Sequence, residues 1–402
     1  PDPEGTSPVG SPHRRSRWVP PPLRGLQGGI HPAQYGISYE LLPSPPNVLL
    51  ITVGIICLHW REALAKILFL LVFHFRHFVM KNLEKILVLK GKRFLLKVEN
   101  SSAAEDYLKY EELRDEIWGF PEDNLAGSRN MMCENFLHEG SSLFLAAYLE
   151  TEEGSFQEDK EHLVGFSYGF VGVKDKQIAY KAVDNLWFYS QYLGVKPDFQ
   201  KYGLGILIKE FQREKLLDLF GISTITCTYD PLTGINAYRN IHHFGMEVLE
   251  YREAIYGEYG GFLNRLDIPS DRFFMSWDLK REIQRPEYRL ESLLDKRYQV
   301  IKSDRIEIEG RTRHLMLEVI QEFNLHLDEE FLLVQIPLDF YLMLHETDVE
   351  DRKIRQIPLD WRLGTREIFK AFFQRKYKII DFRCLEGDPK KDFYVLQRGE
   401  RK

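Results

Sequence analysis

The sequence contains few cysteines and no paired metal-ligand motif. Its 402 residues include four cysteines, which stand far apart at Cys57, Cys133, Cys227 and Cys384. Neither a Cys-x-x-Cys pair nor a histidine spacing typical of zinc is present, so we predict no metal site. A disulfide framework is also disfavoured, which indicates a reducing compartment and predicts a cytoplasmic protein.

An excess of positive charge is also lacking. Lysine and arginine number 54 against 60 aspartate and glutamate residues, and the formal net charge is −6. Because nucleic-acid-binding domains carry a basic patch or stripe, we predict no nucleic-acid partner. The composition is that of an ordinary globular chain, and its length suffices for two or three domains.

No stretch has the length and apolarity of a clear membrane span. The apolar runs 48–60 and 63–79 are short or interrupted by charge, whereas a transmembrane helix needs about 20 apolar residues. Residues 1–47 are rich in Pro, Gly, Ser and Arg, a composition typical of disorder. Because the first methionine is Met80, we interpret residues 1–79 as a non-globular or upstream-translated segment. A weak membrane anchor is the alternative.

From Met80 onward, hydrophobic periodicity predicts alternating helices and strands. Strands are predicted over residues 92–99, 143–149, 162–173, 184–195, 222–228, 246–252 and 272–279. Helices are predicted over residues 105–118, 130–138, 206–220 and 234–244. The apolar face of helix 206–220 would consist of Leu207, Phe211, Leu216, Leu219 and Phe220.

One polar stretch, residues 193–205, joins a predicted strand to a predicted helix. The first N–H groups of a helix have no partner within it and, with the helix dipole, favour an anion. Gly203 and Gly205 leave the backbone open to a phosphate group. A nucleotide P-loop is excluded because no Gly-Lys-Ser/Thr follows. The first glycine of the dinucleotide fingerprint is also missing. A Gly-x-Gly alone would suit an ordinary turn with two packing glycines.

The longer pattern Leu-x-Val-x-Pro-x-x-Gln-x-x-Gly-x-Gly resembles the pyrophosphate loop of the GNAT superfamily of acyl-CoA-dependent N-acyltransferases. Gln200, Gly203 and Gly205 match the signature, and Leu193 and Val195 match the splayed strand that pairs with pantetheine. The resemblance covers residues 92–280 and includes the element order. Residues 189–195, 228–232, 236–240 and 271–273 are similar to one branch of predicted GNAT enzymes. Members of that branch carry an extra C-terminal region.

The resemblance implies an α/β (α+β layered) fold in which helices flank a mixed, mostly antiparallel central sheet. We expect this GNAT domain over residues 80–283 and a smaller α/β domain over residues 284–402, with residues 281–296 as a linker or surface helix. Residues 237–252 align with residues 368–383, so the second domain is interpreted as a degenerate GNAT half-repeat. Chance similarity of amphipathic elements is the alternative.

The resemblance also implies which residues bind the cofactor. The backbone N–H groups of Leu193 and Val195, on either side of Gly194, would polarise the thioester carbonyl and bind pantetheine. The pyrophosphate would be held by Gln200, Lys201, Tyr202, Gly203, Leu204 and Gly205. Asn236 and Asn240 on the next helix would hold CoA or the acceptor amide, with helix capping or surface polarity as the alternative.

The acid and the base are less well defined by the resemblance. The family's usual acid is a tyrosine four residues before the glycine that ends the fourth helix, but Gly245 assigns that position to Ile241. Tyr238, nearly one turn earlier, is the predicted substitute. The usual strand glutamate is missing as well, and the tyrosines in that stretch are poor bases near neutral pH. Asp184 at the strand start is the candidate base, through water, or else a residue that only faces solvent.

We therefore predict an N-acyltransferase that moves an acyl group, acetyl in the first instance, from acyl-CoA to a primary amine of a small molecule. The amine would attack the thioester directly in a ternary complex, with acetyl-CoA or another acyl-CoA as co-substrate and no metal. A non-catalytic acyl-CoA-binding or sensor module is the first alternative, favoured by the missing tyrosine and glutamate. A protein-directed acyltransferase whose C-terminal part docks its partner is the second. The fold cannot decide among the three.

Overall fold

The computed structural model describes residues 83–101, 104–119, 141–257, 260–261, 263–285, 287–387 and 389–399. The interpretation of residues 1–79 and the helix expected over residues 130–138 lie outside this part of the chain. None of the helices in the described part combines the length and apolarity needed to cross a membrane.

An eight-stranded sheet forms the first part of the described chain. Its strands are β1 Glu84–Leu89, β2 Lys92–Val98, β3 Ser142–Leu149, β4 Leu163–Val173, β5 Leu186–Val195, β6 Thr224–Tyr229, β7 Glu247–Arg252 and β8 Arg272–Asp278. They lie in the order β1-β2-β3-β4-β5-β6-β8-β7. Neighbours pair antiparallel except for β5 and β6, which are parallel. The mixed, mostly antiparallel sheet predicted from the sequence is confirmed. Strand β1 was not predicted, because most of its residues are exposed and its alternation is weak.

Helices cover both faces of this sheet. They are α1 Leu108–Trp118, α2 Pro197–Gln200, α3 Leu204–Lys215, which continues as a π-helical turn over Leu216–Phe220, and α4 Gly234–Ala237, which continues as a π-helical segment over Tyr238–His243. Successive side chains of β3 point to opposite faces of the sheet. Phe144 packs in the cluster with α1, whereas Leu143 and Leu145 pack in the cluster with α3.

The buried face of α3 differs from the one expected. Leu204, Ile208, Phe211 and Leu216 are buried, whereas Leu219 is 46% exposed, so its assignment to the apolar face was wrong. The inward stripe also contains three polar residues, Lys209, Gln212 and Lys215. Apolar periodicity does not detect polar side chains that face inward. The predicted apolar face was therefore rotated about the helix axis relative to the buried face.

The second part of the chain contains two further sheets. Its elements are α5 Leu290–Leu293, β9 Ile301–Glu309, β10 His314–Phe323, β11 Phe331–Ile336, α6 Phe340–Glu346, α7 Arg352–Gln374, β12 Tyr377–Leu385 and β13 Lys391–Arg398. Strands β9 and β10 form an antiparallel pair that the sequence analysis did not predict. The other three form an antiparallel sheet in the order β11-β13-β12.

The strand order of this second sheet matches that of β6-β8-β7 in the first. A register irregularity falls between Val248 and Glu250 in β7, and another between Ile379 and Asp381 in β12. The sequence alignment pairs these positions with one another. The repeat interpretation and the domain boundary near residue 283 stay predictions.

The two related parts pack on each other reciprocally. Phe369 of α7 lies with its ring centroid 4.9 Å from Phe273 of β8 and 6.1 Å from Tyr251 of β7. In the other direction, His242 of the segment that follows α4 places Nδ1 2.7 Å from Oδ1 of Asp381 on β12. Each part thus contributes a helix that contacts a strand of the other. The aromatic residues Phe369, Phe372, Phe373 and Tyr377 pack both on the strands of the second part and on the first sheet.

Candidate functional site

Strands β5 and β6 separate at their carboxyl ends. They pair only at Phe188–Ile225 and Tyr189–Thr226, although β5 continues to Val195 along β4. We call the opening between residues 193–195 of β5 and residues 227–229 of β6 the wedge. Two diverging strands leave backbone groups along both edges without a ladder partner, so the wedge can pair with an extended ligand.

The backbone of β5 turns two N–H groups toward the wedge. The N–H of Lys196 donates to the carbonyl of Val164 on β4 at 2.9 Å. Because N–H groups alternate sides along a strand, those of Val195 and Leu193 point away from β4. The carbonyl of Val195 accepts a hydrogen bond from Nε2 of Gln200 at 3.2 Å. Gly194 is closely packed, since a β-carbon there would lie 2.7 Å from the ring of Trp118.

The start of α3 faces open space. Gly203 precedes the helix with φ of +76°, a left-handed conformation that glycine adopts without strain. Among the residues that the structure describes, none has an atom within 4 Å of a β-carbon built on Gly203. The first N–H groups of the helix, those of Leu204 and Gly205, have no acceptor within it. This helix start can therefore accept an anion at its open backbone.

Cations and aromatic rings surround the same loop. Nζ of Lys90, in the turn between β1 and β2, donates to the carbonyl of Lys201 at 2.5 Å. Lys90 and Lys201 each place Nζ 5.7 Å from the ring centroid of Tyr202, and that ring packs on Phe94 of β2. The sequence analysis missed Lys90, because its contact with the loop spans more than a hundred residues.

Asn236 and Asn240 meet the loop through a residue that the sequence analysis did not select. Arg239 donates from Nη2 to Oδ1 of Asn236 at 2.7 Å and from Nε to Oδ1 of Asn240 at 3.4 Å. Its Nη1 lies 3.5 Å from a β-carbon built on Gly205. The two asparagines thus orient a guanidinium group toward the first turn of α3, and burial lowers the pKa of Arg239.

A buried lysine lies one turn further along α3. Lys209 is 3% exposed, and its Nζ donates to Oε1 of Gln212 at 2.8 Å. Gln212 in turn donates from Nε2 to Oγ of Ser167 on β4 at 2.9 Å. Burial lowers the pKa of Lys209 to about 8 and raises the pKa of the neighbouring Cys227 thiol.

The two predicted catalytic side chains lie apart from each other. Asp184 is exposed in the turn Val183–Asn185, before β5 begins. The strand from Leu186 to Leu193, about 23 Å long, separates it from the wedge. The structure therefore does not bring Asp184 to the wedge. Tyr238 lies on the segment that also carries Arg239, but its side chain is 43% exposed and its ring packs 4.8 Å from that of His242.

On the α1 face, the wedge adjoins a cluster of hydroxyl groups. The hydroxyl of Tyr256 lies 3.1 Å from that of Tyr189 and 2.6 Å from Oγ1 of Thr228. Burial raises the pKa of Tyr189, which agrees with the expectation that it is a poor base. Tyr192 packs edge-on against Trp118 of α1 at 5.5 Å. The cluster can pass protons and contact apolar groups, but it carries no charge near neutral pH.

The adjacent histidines His242 and His243 each have a carboxylate partner. Nδ1 of His242 lies beside Asp381 of the second sheet, and Nε2 of His243 lies 3.7 Å from Oε1 of Glu210 on α3. They point to different sides of the helix and do not form a catalytic pair.

No protein-family model and no curated protein matches the chain. Solved structures that match include NAA60 from Arabidopsis thaliana in complex with acetyl-CoA, at 13% identity and a TM-score of 0.35 over 47% of this chain and 99% of that one. The GNAT family N-acetyltransferase YhbS from Escherichia coli, in complex with CoA, matches at 19% identity and a TM-score of 0.29 over 47% and 82%. The spermidine/spermine N-acetyltransferase SpeG from Vibrio cholerae matches at 11% identity and 0.31 over 46% and 95%.

With TM-scores below 0.5, these matches carry no argument about this chain. The described residues have their own strand order, the parallel pair of β5 and β6 and the wedge between them. These features agree with the mixed, mostly antiparallel sheet that the resemblance to the GNAT superfamily implies.

Proposed function

We propose that this protein is a GNAT-type N-acyltransferase that uses an acyl-CoA, with acetyl-CoA as the first candidate, and a primary amine of a small molecule. The observation that carries the proposal is the wedge, whose β5 edge directs two N–H groups toward it and leads directly into the open start of α3. An extended chain with an anionic end fits both features at once.

In this proposal the pyrophosphate lies at the start of α3. The N–H groups of Leu204 and Gly205 would donate to it, and Lys90 and Lys201 would add positive charge. The pantetheine arm would continue along β5 and pair with the N–H groups of Leu193 and Val195. One of these would polarise the thioester carbonyl, whose oxygen gains negative charge as the amine attacks.

The chemistry would need little more than positioning and two proton transfers. The amine nitrogen attacks the carbonyl carbon, the C–S bond breaks, and the sulfur leaves with the electron pair. Because Asp184 precedes β5, at the end of the strand remote from the wedge, we assign proton removal from the amine to water beside the hydroxyl cluster of Tyr189, Thr228 and Tyr256. Tyr238 remains the proposed proton donor from the sequence analysis.

A non-catalytic acyl-CoA-binding module is the second candidate. It is favoured by Ile241, which occupies the position of the family's usual acid and is buried. Binding would need the loop and the wedge but no proton donor.

Two measurements on the purified chain separate these functions. Calorimetry with CoA and acetyl-CoA tests binding, and thiol release from acetyl-CoA in the presence of a panel of amines tests turnover. Binding together with amine-dependent thiol release supports the enzyme. Binding without release for any amine supports the module, and absence of binding contradicts both.

A further inference from the structure

Buried cations in this protein have carboxylate partners. Lys215 on α3 has a side chain that is 2% exposed, and its Nζ lies 2.7 Å from Oε1 of Glu214. Arg362 on α7 is fully buried and donates from both terminal nitrogens to the carboxylate of Asp230. Such pairing is expected, because an ammonium or guanidinium group away from water is costly without an opposite charge.

The buried Lys209 departs from this pattern, and so does Arg239, which is half-buried. Their hydrogen-bond acceptors are the amide oxygens of Gln212, Asn236 and Asn240. Among the residues that the structure describes, no carboxylate interacts with either cation. The charged or titratable group that both share is the thiol of Cys227 on β6, and burial keeps that thiol neutral near pH 7 by raising its pKa. The two positive charges therefore lack an anion.

The location of Lys209 indicates where that anion would be. Lys209 is tied through Gln212 to Ser167, which pairs with Leu193 in the ladder between β4 and β5. On the other side it interacts with Cys227, the first β6 residue beyond the last pair with β5. Lys209 therefore lies on the α3 side of the sheet, level with the wedge residues Leu193 and Cys227. Gly205, one turn earlier on α3, faces Arg239.

We propose that Lys209, assisted by Arg239, stabilises the sulfur of CoA as a thiolate and returns a proton to it. This inference rests on the proposed acyl transfer. As the amine nitrogen bonds to the carbonyl carbon, the C–S bond breaks and its electron pair stays on sulfur. The Lys209 ammonium then gives its proton to the thiolate, leaving a neutral amine and free CoA thiol. The proton that the acceptor amine loses returns to Lys209 through solvent.

The chemistry of the two partners supports this assignment. A thiol has an ordinary pKa of about 8.5, and proton transfer is most effective between groups of similar pKa. Burial brings Lys209 into that range. From α3, the lysine would supply the proton in place of the tyrosine that is missing at Ile241. In this inference Lys209 takes over the donor role that the proposed function assigned to Tyr238. The groups that face Lys209 are Arg239 and Cys227, with Gln212 and Ser167 as neutral partners.

The test is the pKa of the thiol of CoA bound to the full chain, followed by the ultraviolet absorbance of the thiolate as pH is raised. A cation within a few ångströms lowers the pKa of an acid by about 1–3 units. We therefore expect the thiol of CoA bound to the native protein to titrate at least one unit below that of free CoA. Lys209→Met should abolish most of this shift. Lys215→Met, which removes a lysine that is as buried but paired, should retain it.

Desulfo-CoA, which lacks the sulfur, provides a second readout by calorimetry. At a pH where the bound thiol is ionised, the native chain should bind CoA about tenfold more tightly than desulfo-CoA, since one pKa unit corresponds to that factor. Lys209→Met should bind the two ligands within about twofold of each other, a margin well below one pKa unit. If Lys209→Met fails to fold, two measurements still test the inference. They are the thiol pKa of CoA bound to Arg239→Gln and the comparison of CoA with desulfo-CoA on the native chain.

Two outcomes would overturn the inference while leaving CoA binding intact. One is a bound thiol with an unshifted pKa in the native protein, and the other is an equal shift in Lys209→Met. Failure of the native chain to bind CoA at all would instead contradict the proposed function.

Discussion

Replacement of Arg362 tests how the two related parts of the chain are held together. Its guanidinium group is fully buried on α7 and binds the carboxylate of Asp230, which is 4% exposed. Asp230 also accepts from Nη1 of Arg272 at 3.3 Å and from the N–H of Leu232 at 2.9 Å. Arg362→Met keeps most of the apolar stem but removes one of the two cations that neutralise this buried carboxylate.

The ion pairs that each variant breaks determine the expected order of destabilisation among the variants. Breaking a buried ion pair by removal of one partner costs about 3–5 kcal/mol. Arg362→Met leaves Asp230 with Arg272, so we expect the lower end, about 3 kcal/mol. Asp230→Asn leaves two arginines without their carboxylate and should cost about 5 kcal/mol. The double variant should lose less than the sum, because both changes act on one network.

Urea unfolding of the full chain measures these free energies. The matched control is Lys302→Ala, which removes the exposed pair between Lys302 and Glu322 and should cost less than about 1 kcal/mol. Equal effects of Arg362→Met and Lys302→Ala would refute the reasoning. The pH dependence of the unfolding free energy adds a check. Burial alone would raise the pKa of Asp230, but Arg362 and Arg272 lower it by more, so the pKa lies below the ordinary aspartate value. The contribution of Asp230 should therefore be present above the ordinary aspartate pKa and be lost as pH falls below it.

Three further predictions concern the candidate site. Gly203→Asp adds a β-carbon and a negative charge at the start of α3. It should weaken CoA binding in calorimetry by about 3 kcal/mol, since charge-assisted hydrogen bonds contribute about 1.5–3 kcal/mol each. Undiminished affinity would argue against an anion site. Tyr238→Phe should lower kcat about 10²-fold at constant CoA affinity if its hydroxyl returns the proton, and an unchanged kcat would remove Tyr238 from the mechanism. Burial lowers the pKa of Lys209 to about 8. Between pH 8 and the ordinary lysine pKa, the unfolded chain therefore binds more protons than the folded chain. The free energy of unfolding should rise with pH across this range, by at most about 3 kcal/mol. In urea unfolding Lys209→Met should lack that rise, and a rise equal to the native one would contradict the assignment.

The sequence carried enough information for the order of elements but not for the inward polar residues of α3. Apolar periodicity located the helix after Gly203, because Phe211 and Leu216 lie on its core side. It could not reveal that Lys209 also faces inward, since a lysine normally marks the solvent side of a helix. Only the packing against β4 and β6 shows that its ammonium group is buried.

Residues that meet only through long-range contacts could not be predicted from the sequence either. Lys90 precedes the loop by more than a hundred residues, and nothing in its local sequence links the two. Asp184 was selected because it begins the strand that ends at the wedge. The sequence locates the strand, but it does not by itself show that β5 and β6 stay paired near Tyr189 and separate only beyond it. The distance along the strand therefore removed Asp184 from the site.

The reciprocal packing of β6-β8-β7 and β11-β13-β12 takes place within one polypeptide, whereas the self-complementary interface of a dimer joins two chains. A dimer of identical chains must place the same residues on both sides, and its stability depends on protein concentration. When one chain carries both halves, the association does not weaken on dilution. Each half is also free to change alone. The sequence pattern of the Gln200-to-Gly205 loop occurs in the first part and has no counterpart in the second.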